Sequence, residues 1–249
     1  MKRRRWGWIV AIAAVVAVAA GAFVAGEAVA RSVIRDRVQD AVVEAGARVE
    51  HLDVEIPGLV IPQLIGGRID EAHVTGERVS YDGLTADVRL ALEGVDTGAM
   101  TAERASATAA LDAAALESLL GRASSGTAWQ ALGDAARIDI AEPDIAVSGE
   151  VPILGALQLT LRPSAADGQL LLSPVEAALG DWRMQLPGEL PPGVPDALAQ
   201  PIPVCLSDSL PRGITLSDAT VEGDELIAHL ALDGGLLNDP TLQQPGDCA

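Results

Sequence analysis

The side chains best suited to acid–base, metal or thiol chemistry are three histidines, two cysteines and two close pairs of carboxylates. His51, His73 and His229 each fall in a strand-like run, and none has a second ligand at metal spacing. That placement predicts strand histidines facing solvent. Asp53/Glu55 and Asp70/Glu71 have the types for an acid pair or a calcium site, but their outward positions predict solvated charge. Lys2 is the single lysine, which leaves no Schiff-base or phosphate-binding lysine in the rest of the chain. There is no G-x-S-x-G elbow, H-E-x-x-H, Walker loop or dinucleotide fingerprint. The expectation is therefore a protein with no catalytic residues, no metal and no cofactor.

The cysteines are Cys205 and Cys248. In an exported chain two cysteines most simply form one disulfide. It would tie the C-terminal tail to the start of the last hairpin, and closing a loop of that size contributes roughly 4 kcal/mol in the chain-entropy model. Two free thiols would instead require a reducing compartment.

The elements that position these residues centre on 53–95. Leu84, Ala86, Val88, Leu90 and Leu92 alternate with Thr85, Asp87, Arg89, Ala91 and Glu93, a period of two with one apolar face. The run before it carries Ala72, Val74 and Gly76, then slips to Val79 and Tyr81, which predicts a bulge near Glu77-Arg78. Asp82-Gly83 joins the two as a hairpin turn. Ahead lie Leu59, Val60, Ile61, Leu64 and Ile65, punctuated by Pro57, Pro62 and Gly66-Gly67 as a loop or short helical turn. These residues either plug the end of the core or form an apolar tip that meets lipid, since loops normally run over a wet surface.

The sequence DVEIPG at 53–58, PQLIGGRID at 62–70 and the Val79-x-Tyr81, Leu84-x-Ala86-x-Val88-x-Leu90 hairpin resemble the actinobacterial LmeA-like phospholipid-binding family. A second block agrees: Cys205-Leu206, Leu210-Pro211-Arg212-Gly213-Ile214-Thr215-Leu216, Val221-Glu222-Gly223-Asp224-Glu225-Leu226 and Gly246-Asp247-Cys248. The likeness covers nearly all of the chain after the N-terminal apolar run, and its motifs are structural rather than catalytic. It departs at Gly58-Leu59-Val60, where the family tends to carry a phenylalanine. The resemblance implies an elongated, tubular lipid-binding architecture whose groove takes phospholipid, of which phosphatidylinositol is one candidate.

Charge is unevenly spread. The net −18 includes Lys2 and Arg3–Arg5 at the N-terminus; the other 13 basic residues, all Arg, face 35 acids. Such an acidic domain is repelled by nucleic acid, so no nucleic-acid partner is expected. Trp6 to Gly26 is an uncharged run long enough, at about 1.5 Å per residue, to match a bilayer core of roughly 30 Å. Basic residues before it place the N-terminus in the cytoplasm. The expectation is a plasma-membrane anchor over 1–26 and an extracytoplasmic domain over 27–249. The alternative is a signal peptide cleaved near Ala28-Val29-Ala30, which would make the domain secreted. Either way the domain is exported.

Glu27 to Arg48 reads as an amphipathic helix with Val29, Val33, Ile34, Val38, Val42 and Ala45 on one face, ended by Gly46. Ala105, Ala107, Ala109 and Leu111 alternate over 104–111, small enough to let another layer approach. Asp112 caps a short helix over 113–120. Strands are expected over 136–141, 145–151, 153–162, 169–173, 214–221 and 226–232, with turns at Asp167-Gly168 and Gly223-Asp224. Leu186 to Pro203 holds six prolines and reads as a linker or rim.

Together these point to an α+β fold: a transmembrane helix, then a long amphipathic helix on one highly curved antiparallel sheet, barrel-like or tubular. The expected function is non-catalytic binding or transfer of phospholipid in the cell envelope, with Leu59, Val60, Ile61, Leu64, Ile65, Leu84, Val88, Leu90 and Leu92 as lipid-contacting residues and the membrane as a partner. Moving an acyl chain out of a bilayer costs about 0.8 kcal/mol per methylene unless another apolar surface replaces it. The second reading is an anchored scaffold that binds a protein through the Pro-rich segment or an open sheet edge.

Overall fold

The computed structural model describes residues 29–40, 42–43, 47–81, 83–123, 137–151, 155–180, 182–186, 200–206, 210–236 and 238–246. Helix α1 covers 29–40. After β1 (His51–Glu55), one and a half turns of helix, α2 (Val60–Ile65), lead into the hairpin of β2 (Arg68–Tyr81) and β3 (Leu84–Asp96). β4 (Arg104–Leu111) and α3 (Ala113–Ala123) follow. A meander of β5 (Arg137–Ala141), β6 (Asp144–Val151), β7 (Gly155–Ala166), β8 (Gln169–Leu179) and β9 (Trp182–Gln185) comes next. β10 (Ile202–Val204), β11 (Ile214–Glu222) and β12 (Glu225–Leu232) close the order.

These strands form two six-stranded antiparallel sheets. The first runs β1-β2-β3-β4-β12-β11; the second runs β10-β8-β7-β6-β5, with β9 beside the far end of β8. The last hairpin inserts β12 against β4, so the C-terminal strands complete the N-terminal sheet. The main core lies between the sheets and under α3, with Leu116, Ile145, Val147, Leu159, Leu161, Leu172 and Leu226 almost wholly buried. A second, smaller cluster of Ile56, Val60 and Ala72 sits at the opposite end of the first sheet.

Local signals acted as physical chemistry requires. The register of β2 on β3 shifts between Gly76 and Val79. Arg78 turns to a φ of 50° there and donates its N–H to Asp87 Oδ1 at 2.7 Å. A Cβ on Gly76 would come within 2.7 Å of Val79 Cγ2, so the bulge requires glycine at that position. Asp112 Oδ1 accepts the Ala115 N–H at 2.7 Å and caps α3. Pro163 does not end β7: past Leu161 that strand has β8 as its one partner, an edge position that proline tolerates. Pro174 sits inside β8 where the β7 register shifts.

The expected α+β architecture is corrected. The described residues are mostly β, in two open antiparallel sheets with short helices, and among them no long helix packs on a single curved barrel. The meander β5–β9 pairs locally through short turns and so closes a sheet of its own rather than extending the first. α1 contributes a narrow stripe, Ala30 and Ile34, to the small cluster, while Val29 and Val33 are 62% and 52% exposed. The single-pass membrane placement is also corrected, because among the described residues no helix is long and apolar enough to cross a membrane. The run Trp6–Gly26 that suggested it lies outside the described residues, as do Ala45, Gly46, Asp82, most of the Pro-rich segment and Cys248.

Candidate functional site

The chemistry-bearing residues do not converge. His73 Nε2 lies 3.0 Å from Glu71 Oε1 on the outer face of β2. His51 and His229 stand on other strands. Asp53 pairs with Arg35 at 3.3 Å, and Asp70 lies 3.8 Å from Arg68, so both acid pairs are engaged as surface charge. Among the described residues no group of three His, Cys, Asp or Glu side chains could hold a metal ion. The titration shifts sit in surface networks. The guanidinium of Arg68, by hydrogen bond and charge, holds the Glu103 carboxyl below its usual value. The N–H groups of Ala99 and Gly98 do the same to Asp96 in the β3–β4 turn.

What does converge is apolar. A groove of about 240 Å³ opens between the inner face of the first sheet and the elements packed over it. Its floor follows from register. Val88 pairs with Ala109, Ala109 with Ala228, and Ala228 with Ala219, so a cross-strand row of three alanines runs over β4, β12 and β11. The neighbouring row pairs Leu111 with Leu226, and the row on the other side pairs Leu230 with Leu216. Leucines of β4, β12 and β11 therefore flank the alanines, of which Ala109 and Ala228 line the groove where their small side chains leave room. Leu119 from α3, Leu170 from β8, and Leu206 and Leu210 from the chain between β10 and β11 complete the lining. Val79, Tyr81, Leu84 and Ala86 form the end at the β2–β3 turn. Among the described residues, every one that lines the groove except Tyr81 is aliphatic.

The wall carrying Leu206 and Leu210 is held by the C-terminal tail. Gly246 N–H donates to the Leu210 carbonyl at 3.0 Å, Arg212 N–H to Gln244 at 2.9 Å, and Gly213 N–H to Leu242 at 3.0 Å. Pro211 and Pro245 face each other as an antiparallel bridge.

Of the residues that the sequence pointed to, Leu84 and Val88 line the groove. Leu90 and Leu92 lie further along β3, half-buried, and Leu92 packs on the small cluster with Val60. Val60 is fully buried, whereas Leu59, Leu64 and Ile65 are exposed, Ile65 at 83%. These five residues of 59–65 thus gather at the start of β2, while the groove meets its end. Arg68 and Val79 stand eleven positions apart on β2 with the bulge between them, on the order of 30 Å of strand. Sequence reasoning did not count Tyr81, Leu119, Leu170, Leu206 or Leu210 among the lipid-contacting residues. Leu119 and Leu170 come from a helix and from the other sheet, and no local period reports such a meeting. Tyr81 had a signal, being the one tyrosine of the chain, placed at a hairpin end.

A family model described as LmeA-like phospholipid-binding matches residues 25–231. No curated protein and no solved structure matches the chain. The match spans both sheets and the whole groove, and the chain belongs to this family of phospholipid-binding proteins.

Proposed function

We propose that this member of the LmeA-like phospholipid-binding family seats an acyl chain of its phospholipid in the groove between the sheets and transfers that lipid within the cell envelope. The groove's lining, aliphatic among the described residues except for Tyr81, carries the reading. Each methylene that leaves a bilayer loses about 0.8 kcal/mol of apolar burial, and a dry aliphatic channel returns it. Extraction then approaches neutrality without covalent chemistry, so a carrier works with no catalytic group. The groove volume is small beside ligand pockets of about 300–1,000 Å³. It suits a chain rather than a whole lipid, which leaves the headgroup outside; phosphatidylinositol is one candidate.

Leu59, Leu64 and Ile65 play a separate part in this reading. Buried Val60 and half-buried Ile61 root them, and they form an apolar tip that touches a membrane surface while the groove opens at the far end of β2. Leu90 and Leu92 join the two ends as packing. Cys205 is proposed to pair with Cys248. The tail already runs antiparallel to 210–212, and no cysteine is free among the described residues. That bond would fix the Leu206–Leu210 wall and fits an oxidising compartment.

Native mass spectrometry of the purified protein tests the proposal. The expected spectrum carries adducts of phospholipid mass, which exchange when vesicles containing phosphatidylinositol are added. An adduct-free spectrum that stays so after vesicles are added contradicts it.

A further inference from the structure

We infer that Tyr81 holds the polar end of the bound lipid: its phenol donates to an acceptor oxygen, a glycerol ester carbonyl or a phosphodiester oxygen, where the acyl chain leaves the groove. The inference rests on the groove being the lipid site. Among the described residues Tyr81 is the one lining residue with a polar side-chain atom, and it is the one tyrosine of the chain. It is the last residue of β2, opposite Leu84 across the turn. Its surface is 54% exposed, while Leu226 and Leu170 deeper in the groove are almost wholly buried. A residue with its ring in an apolar lining and over half its surface in water stands at the mouth.

Tyrosine suits such a boundary because its body is apolar and its tip is a hydrogen-bond donor. The nearby polar groups are already engaged. Ser80 and Thr85 hydroxyls bond each other at 2.9 Å, and Arg78 pairs with Glu50 at 2.9 Å. The Ser118 hydroxyl donates to the Gly83 carbonyl at 3.4 Å. Among the described residues the Tyr81 hydroxyl has no such partner. A neutral donor grips the oxygens shared by all glycerophospholipids, so the mouth reads the glycerol end rather than headgroup charge.

The test compares wild type with Tyr81→Phe, which keeps the ring and removes the donor, using three probes: phosphatidylinositol vesicles, diacylglycerol and hexadecane. Loss of one neutral hydrogen bond predicts roughly three- to tenfold weaker binding of phosphatidylinositol and unchanged uptake of hexadecane. Weakening of diacylglycerol as well assigns the acceptor to the ester carbonyl; undiminished diacylglycerol assigns it to the phosphodiester. Equal phosphatidylinositol binding by both proteins, or an equal loss on hexadecane, overturns the inference but leaves the groove as the lipid site. Wild type that takes up none of the probes overturns both. Chemical nitration gives a second readout on the wild-type chain, since it holds a single tyrosine: bound phosphatidylinositol slows nitration of Tyr81, and an unchanged rate contradicts its place at the mouth.

Discussion

The two sheets are built on the same alternation yet end differently. In the second sheet the inward positions of β6 and β7 are large: Ile145, Val147, Leu157, Leu159 and Leu161 are all buried and close-packed. In the first sheet the equivalent middle row is Val88, Ala109, Ala228 and Ala219. A leucine and an alanine obey the same period of two, but alanine leaves unfilled space that a close-packed interior would otherwise not tolerate. Side-chain volume at a few registered positions, rather than strand pattern, separates a solid half from a half with room for a ligand.

That contrast is open to attack at several points. The largest effect is expected where the proposed Cys205–Cys248 bond would staple the wall: Cys205→Ser should lower unfolding free energy by roughly 4 kcal/mol in denaturant titration, with the same loss for wild type under reducing agent. An equal stability of reduced and oxidised protein would show that the tail is held without the bond. In the solid sheet, Leu159→Ala opens a cavity and should cost about 3 kcal/mol. Leu84→Ala, at the rim of a space already open, should cost about 1 kcal/mol or less. Comparable losses at the two sites would erase the difference between the sheets.

Filling the groove sharpens the comparison from the other side. Ala109→Phe places a ring over the alanine row. It should reduce phospholipid uptake at least tenfold while changing stability by about 1 kcal/mol at most, since overpacking penalties apply where no space exists. The smallest effect lies in the β3–β4 turn, outside both cores. Asp96 accepts N–H groups from Gly98 and Ala99 at 2.8 and 2.7 Å, and its folded pKa is lowered by them. Its contribution is therefore present above about pH 4 and lost as pH falls through the lowered folded value. Asp96→Asn should flatten that part of the acid-stability curve without touching lipid uptake.

Much of this was legible in the chain itself. The Leu84–Leu92 alternation, the slip at Glu77-Arg78, the Asp112 cap and the turns at Asp167-Gly168 and Gly223-Asp224 are local events, each set by backbone geometry within a few residues. The alanines of β4 also stood out, although as a surface for close approach rather than as the floor of a cavity. What local pattern cannot encode is the partner of a strand. Nothing in 226–232 says that β12 pairs with β4 across more than a hundred residues, nor that β5–β9 closes a separate sheet. The N-terminal helix misled because Val29 and Val33 fit an apolar face by period, yet the small cluster beneath has room for Ala30 and Ile34. The site was half visible for the same reason: Leu84 and Val88 belong to one face of one strand, while Leu119, Leu170, Leu206 and Leu210 reach it from three other places.

In the proposed carrier the fatty chain lies over the alanine row. A phospholipid carrying a photoreactive diazirine near the end of one acyl chain tests it most directly. Irradiation of the loaded protein should place the adducts on residues around Ala109, Leu226 and Ala228. Adducts confined to Leu59–Ile65, or spread over the outer surface, would contradict the account.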